Sequence, residues 1–307
     1  MTIHAISTHS ISGVSTPFSS TSTLTSHSSP LAKQPTQPYV FTASNIIEFL
    51  SSRSSTSSAL FVYDLAEQAG FGLQSKEWSK SDQGATSVIP LQTRPGAGLS
   101  LVGRLSQGTS KDTVSGSVLT VYNTPTGLVE MVPSLASAPI PTANSRLVIQ
   151  VPTVSVIGDR LSLSPTLATL NTVLHVIPDS FVVLLSATPQ ESVDLAALAY
   201  KFPAHVIHLF NHHSSSREAG QLHVPSISSK EVGSTVHSAL QQSGYYSFDY
   251  IGDINAHVVI VVLNGPLALA IKATIANTPH VGVLVVRVLR PWDEQMFQEA
   301  LPPSVKH

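Results

Sequence analysis

FDYIGDINAHVVIVVLNGPLALAIKATIANTPHVGVLVVRVLRPWDEQMFQEALPPSVKH, residues 248–307, is the stretch that decides the fold class. An apolar run from Val258 to Leu263 meets an Asn-Gly-Pro turn at Asn264 to Pro266, and a helix-like segment follows over Leu267 to Asn277. A second apolar run, Val281 to Val286, leads into Arg287-Val288-Leu289-Arg290-Pro291-Trp292. This is the pattern of one βαβ unit, because parallel strands need a crossover and a helix supplies it. Both runs are continuous Val, Ile and Leu, which predicts strands buried on both faces. A two-stranded sheet cannot bury itself, so this reading expects more sheet than the sequence holds, as if the domain were cut at Lys306-His307.

The same alternation runs upstream. A helix is predicted at Ala43 to Leu50, capped by Thr42 or Ser44, then a strand at Leu60 to Asp64 and a helical turn at Leu65 to Ala69. A strand at Ser87 to Leu91 enters Arg-Pro-Gly-Ala-Gly before a helix at Leu99 to Leu105. Further strands are expected at Val118 to Tyr122, Leu147 to Val151, Val173 to Val176, Phe181 to Ser186 and Val206 to Phe210, the last ending in a His-rich loop. Pro189 to Lys201 reads as a helix with Glu191 in its first turn, where the dipole favours an anion. The polar stretch Ser214 to Ser243 reads as a linker with one helix near Val232 to Gln241. Alternating elements over this length predict α/β with a mainly parallel sheet. Three regions are expected: a Ser/Thr-rich tail over 1–37, disordered for want of apolar surface; a first domain over 38–243; and a truncated second domain over 244–307.

Composition removes whole classes of function. The 307 residues hold 16 Lys+Arg against 18 Asp+Glu, so no basic field exists to hold nucleic acid or an anionic membrane. Charged residues are only 11% of the chain, against roughly a quarter in ordinary domains, which leaves much surface to Ser and Thr or to burial by something else. With no cysteine, disulfides, a Cys nucleophile and Cys-held iron–sulfur clusters are excluded within this sequence. No apolar run reaches the ~18 residues of a membrane span. The tail lacks the apolar core of a signal peptide; its acid-poor, Ser-rich composition leaves organelle import open beside the cytoplasmic placement taken here.

Six segments in order resemble the first two domains of pyruvate:ferredoxin oxidoreductases, from about Phe61 onward. Arg94-Pro95-Gly96-Ala97 stands where that family has Glu-x-Gly-Ala. Asn123 to Pro133 is similar to its Ser-x-x-Gly-Leu-x-x-Met-Ile-Pro, and Ser186, Gln190, Glu191 and Asp194 to its Ser-x-x-x-Gln-Glu-x-x-Asp. His208 to His212 resembles a His-Phe-Phe-Asp-Gly strand end. Tyr250 to Ala256 resembles Tyr-x-Gly-x-x-Asp-Ala, and Arg287 to Trp292 resembles Arg-x-x-Arg-Pro-Phe. The resemblance implies a thiamine-diphosphate-binding-like pyrimidine domain followed by a truncated transketolase C-terminal-like βαβ domain.

The departures from the family bear on activity. Thiamine enzymes use a Glu to protonate the aminopyrimidine; the matching position is Arg94, whose guanidinium cannot take up and return that proton. The Asp-Gly of the strand end is replaced by Asn211-His212. A similar degenerate front end, with Arg-x-Gly-Ala-Gly-Leu like Arg94 to Leu99 and a counterpart of Gly282 to Trp292, occurs in the flavoprotein subunits of fungal assimilatory NADPH–sulfite reductases. That resemblance implies a scaffold in sulfur assimilation and cysteine biosynthesis. FAD and NADPH would bind in a C-terminal module absent from this sequence, and the partner would be a siroheme-containing sulfite reductase subunit. The alternatives are a subunit of a thiamine-dependent 2-oxoacid oxidoreductase, with Glu67, Glu77 or Asp82 as the acid, and a non-catalytic binding module.

No residue is assigned a catalytic, cofactor-binding or metal role. His205, His208, His212 and His213 form a cluster, but His205 and His208 differ by an odd number and face opposite sides of a strand, which favours a structural role. His4, His9 and His27 lie in the tail and read as solvated. Gly96, Gly98 and Gly103 lack dinucleotide-fingerprint spacing and read as a tight turn. Asn264-Gly265-Pro266 follows a parallel strand, where ligands bind in open sheets, yet Pro266 also fits a first helical position. Arg287 and Arg290 read either as partners of Asp293, Glu294 and Trp292, or as a docking edge. With the rest of the sheet missing, the edge beside Val281 to Val286 is expected to be unpaired.

Overall fold

The computed structural model describes residues 40–53, 57–81, 85–106, 117–157, 160–162, 167, 169–225, 235–275 and 278–305. The Ser/Thr-rich tail lies outside the described residues, as do Asp82 and the start of the helix expected from Val232.

Aliphatic runs build the main sheet. Strands β2 (Ser57–Tyr63), β3 (Val88–Leu91), β4 (Val118–Tyr122), β5 (Arg146–Pro152), β8 (Phe181–Ser186) and β9 (His205–Phe210) are mutually parallel. With β14 (Val288–Arg290) antiparallel at one edge, the seven-stranded order is β14-β8-β9-β5-β4-β2-β3. Short pairs accompany it: β1 (Phe41–Thr42) with β10 (Ala219–Gly220), and β6 (Ser155–Ile157) with β7 (Arg160–Ser162).

Helices cover both faces, which is why β4, β5, β8 and β9 carry almost no polar alternation. On one face, α4 (Leu99–Ser106), α5 (Pro125–Leu135) and α6 (Thr169–Val176) pack Leu101, Met131 and Val173 onto Phe61, Ile149 and Leu185. On the other, α1 (Ala43–Arg53), α2 (Asp64–Gln68), α7 (Pro189–Leu198) and α9 (Val236–Gln242) place Ile47, Ala66, Leu195 and Leu240 against the alternate strand residues. Thr42 caps α1 through the Asn45 amide, and α7 carries a full capping box between Thr188 and Glu191.

Several expectations need correction. Val173 to Val176 is not a strand but the end of α6: Leu170, Val173, Leu174 and Ile177 follow a helical i, i+3, i+4, i+7 spacing that the Val-rich tetrapeptide hides. Helix α3 (Leu73–Ser81) was not foreseen. Neither was α5, although Thr124 caps it through the Gly127 amide and Pro125 occupies its first turn. The His-rich loop after β9 is a short helix, α8 (His212–Arg217), capped by Asn211.

The C-terminal βαβ unit forms as predicted, from β12 (Val258–Leu263), α10 (Pro266–Ile275) and β13 (Val281–Val286). Its sheet has three strands, however, because β11 (Phe248–Gly252) adds antiparallel to β13, giving the order β11-β13-β12. Strand β13 is therefore central and paired on both sides, so the edge beside Val281 to Val286 is not open, and the edge strands are β11 and β12. Burial on both faces holds for β13, whereas Val258, Ile260 and Val261 of β12 are exposed. Helix α11 (Glu294–Glu299) closes the other face with Phe297 and Met296. After β13 the chain bends at Arg287 and enters the main sheet as β14, so one nearly continuous segment serves both sheets.

Candidate functional site

In open α/β sheets, ligands gather at the carboxyl ends of the parallel strands. The described residues form two hollows there. The first follows β3. Asp64, just past β2, accepts hydrogen bonds from the Leu65 and Thr93 amides at 2.8 Å, and the Tyr63 hydroxyl donates to the Ala97 carbonyl at 2.6 Å. Burial raises the Tyr63 phenol far above its ordinary pKa, so it remains a donor. Gly96 takes a positive φ of 77° and its amide reaches the Glu130 carbonyl. These bonds fix the turn over residues 92–98 against α5 and leave Arg94 exposed at its tip.

The hollow beside this turn is wide and open, about 750 Å³, and is lined by Pro90, Gln92, Arg94, Gly96, Ser100 and Arg104 among others. Among the described residues no carboxylate lines it. Of the three alternative acids, Glu67 is bound to Lys76 Nζ at 2.6 Å, Glu77 lies exposed on α3, and Asp82 is outside the described residues. Protonating an aminopyrimidine needs a carboxylic acid in contact with the ring, and the described residues that line this hollow do not supply one for thiamine diphosphate. Gly96 and Gly98 lie in the turn and Gly103 in α4.

The second hollow is a cavity of about 320 Å³ where the two sheets meet, lined by Thr153, Leu185, Ser186 and Leu209 from the main sheet and by Val261 to Leu267 from the smaller one. Its floor continues into a buried relay that sequence reasoning missed. His208 Nε2 lies 2.9 Å from Ser186 Oγ, and His208 Nδ1 lies 2.7 Å from Gln150 Oε1. These partners set the tautomer: Nδ1–H donates to Gln150 and Nε2 accepts from Ser186. Ser186 Oγ also lies 3.0 Å from Ser192 Oγ. The arrangement has the outline of a Ser–His pair, but burial pushes the His208 pKa down to about 3. An imidazole that resists protonation so strongly is a poor general base at neutral pH. Ser186, His208 and Gln150 come from three strands, and the segments in which Ser186 and His208 resemble the family give no sign that the two side chains meet.

His205 is likewise buried and hydrogen-bonded within the sheet. His205 accepts from the Leu147 amide at Nδ1 and meets the Pro139 carbonyl with Nε2, and burial lowers its pKa. His205 and His208 face opposite sides of β9, as the strand period requires. His212 and His213 open α8. Among the described residues no group of three or more His, Asp or Glu side chains is placed to hold a metal ion.

A clamp joins the sheets beside the second cavity. Arg287 bonds through Nε to Glu191 Oε1, through Nη2 to Asp249 Oδ2 at 3.0 Å and through Nη1 to the Tyr246 carbonyl at 3.0 Å. Asn264 Nδ2 donates to Glu191 Oε1 at 2.9 Å and to the Leu185 carbonyl at 3.0 Å. Burial opposes the Arg287 charge, but the Glu191 and Asp249 carboxylates outweigh it and raise its pKa. Neither arginine pairs as the sequence suggested. Arg290 donates to the Leu174, Ile177 and Pro178 carbonyls and lies 3.6 Å from Asp179, while Trp292 meets Phe248 edge-on and Phe297 at a tilt and donates to Glu294.

No helix among the described residues is long and apolar enough to cross a membrane. No protein-family model matches the chain, and no curated protein does so. Among solved structures, the 2-oxoglutarate:ferredoxin oxidoreductase from Magnetococcus marinus, with 2-oxoglutarate, coenzyme A and succinyl-CoA bound, is similar at a TM-score of 0.52 and 12% identity, over 87% of this chain and 56% of that one. The chain thus spans about half the length of that relative. At this identity the likeness is one of fold: the chain is an α/β protein with a mainly parallel sheet, similar in architecture to a 2-oxoacid:ferredoxin oxidoreductase.

Proposed function

We propose that the chain is a 2-oxoacid-oxidoreductase-type scaffold that has lost thiamine chemistry and acts as the docking part of a larger redox protein. The observation that carries this reading is Arg94, which stands at the turn after β3 in a hollow with no carboxylate among the described residues that line it. The same fold without the acid retains a platform and loses the reaction. The test is calorimetric titration of thiamine diphosphate with Mg²⁺ into the chain and into Arg94→Glu. No saturable heat is expected from the unaltered chain; binding by it would overturn the reading.

The finer proposal is that the larger protein is the flavoprotein subunit of a cytoplasmic NADPH–sulfite reductase. It rests on the likeness of Arg94 to Leu99 and Gly282 to Trp292 to that subunit's motifs. Such a parent takes hydride from NADPH and passes electrons through flavin to a siroheme-bearing partner that reduces sulfite to sulfide. The protein isolated from its own cells would then carry flavin absorbance and support NADPH-dependent sulfite reduction with that partner. Isolation without flavin would refute it.

The second reading, a subunit of a thiamine-dependent 2-oxoacid oxidoreductase, is favoured by the fold likeness to the Magnetococcus enzyme. It predicts that the titration succeeds with the unaltered chain and fails when its acid is replaced.

A further inference from the structure

Asn264 is the only asparagine in the sequence that is followed by glycine. Such a pair is chemically labile, because Gly265 has no side chain to keep its backbone nitrogen away from the Asn264 side chain. That nitrogen, losing its proton, bonds to Asn264 Cγ and closes a succinimide ring, while Nδ2 leaves as ammonia. Water then opens the ring. Breaking the bond from the ring nitrogen to Cγ gives aspartate; breaking the bond to the Asn264 carbonyl carbon gives isoaspartate.

The fold leaves one reactant free and holds the other. Among the described residues the Gly265 amide donates to no acceptor. The Asn264 carboxamide, on a residue only 3% exposed, is fixed through Nδ2 to the Leu185 carbonyl and to Glu191 Oε1. Ring closure swings the carboxamide off both acceptors. Glu191 Oε1 is also the oxygen that Arg287 Nε takes, so the carboxamide is released only when the junction between the sheets opens. The product cannot remake that junction. An aspartate at this position sets an oxygen where Nδ2 lay, 2.9 Å from Glu191 Oε1. Two carboxylates would then face each other in a buried place, and Arg287 already serves Glu191 and Asp249. Isoaspartate instead lengthens the backbone between β12 and α10.

We propose that Asn264 is a gated deamidation site: the closed junction protects the Asn264-Gly265 pair, opening of the junction exposes it to hydrolysis, and the acid formed keeps the junction open. A transient, reversible opening is thereby turned into a permanent covalent mark. This inference is independent of the thiamine reading, since it uses neither Arg94 nor its hollow.

The test is ageing in mildly alkaline buffer, with conversion at Asn264 read by peptide mass spectrometry beside a synthetic peptide of residues 260–269. The folded chain should convert at least about a hundredfold more slowly than the peptide, since it reacts only through its open fraction. Arg287→Met should bring the rate to within about tenfold of the peptide. Folded chain reacting as fast as the peptide would overturn the gating, and a folded Arg287→Met as slow as the unaltered chain would overturn the link to the junction. Should that variant not fold, the unaltered chain in urea below its unfolding midpoint gives the same answer. Conversion should rise there while far-UV circular dichroism is still native; a rise only with global unfolding would overturn the proposal. Asn264→Asp should lose hydrogen-exchange protection over Val258–Leu263 and Val288–Arg290, and native protection in it would overturn the permanence of the mark.

Discussion

Replacing Arg287 by Met should unfold the junction between the two sheets before it affects anything else. The Arg287 and Glu191 side chains are only 10% and 4% exposed, so removing the guanidinium leaves a buried carboxylate with Asn264 Nδ2 and the Ala187 amide as its near donors. Breaking a buried ion pair from one side costs about 3–5 kcal/mol. The Asp249 arm adds little, because that carboxylate is partly solvated and has Lys272 at 3.4 Å. A loss of this size is a large fraction of the roughly 5–15 kcal/mol that holds a domain folded. Urea denaturation followed by tryptophan fluorescence measures it, since Trp292 packs on Phe248 beside the clamp. Glu191→Gln keeps an acceptor for the α7 cap while removing the charge. The double variant Glu191→Gln/Arg287→Met should therefore recover about 2 kcal/mol of the loss, an interaction energy typical of contacting pairs. A single-variant cost under about 1 kcal/mol, or a double variant no better than the single, would refute the idea that a desolvated charge pair locks the sheets.

Stability should fall with acid through His208: its pKa is about 3 when folded and about 6.5 when unfolded. Below the unfolded value the unfolded chain binds a proton that the folded one refuses, so this stability is full above about pH 6.5 and is lost toward pH 3, by about 1.4 kcal/mol per pH unit. His208→Gln should remove about 2 kcal/mol of the loss between pH 7 and pH 5 in urea melts, and an unchanged slope would contradict the assignment. Gly252→Ala should destabilise the three-stranded sheet by about 2 kcal/mol or more: Gly252 has a φ of 139°, and a Cβ there would lie 2.6 Å from Gly282 Cα and 2.7 Å from the Val281 carbonyl. Hydrogen exchange over Phe248–Gly252 and Val281–Val286 would report it, with unchanged protection counting against the close approach.

Much of the fold is legible in the sequence because its signals are local. Continuous aliphatic runs such as Val118 to Tyr122 and Phe181 to Ser186 can satisfy burial only as strands covered on both faces. The errors are local too. Val173 to Val176 looks extended when read alone and helical once Leu170 and Ile177 are counted with it. Strand β11 escaped notice because Phe248 to Gly252 is interrupted by Asp249, a residue whose charge is explained only by Arg287 and Lys272.

The sequence by itself determined the fold class, the βαβ unit at Val258 to Val286 and the cation at Arg94, since each depends on residue type and short-range spacing. Only the tertiary structure decided that β13 is central in its sheet, where the second cavity lies and what Arg287 does. Those depend on residues 38 to 96 positions apart: Asp249 and Glu191 meeting Arg287, and Asn264 meeting Leu185 across the sheets. The segment from β13 into β14 reads as one strand followed by a charged loop. It joins two sheets because β8 offers an unpaired edge there, and the closure of a long loop onto that edge leaves no mark in the local sequence.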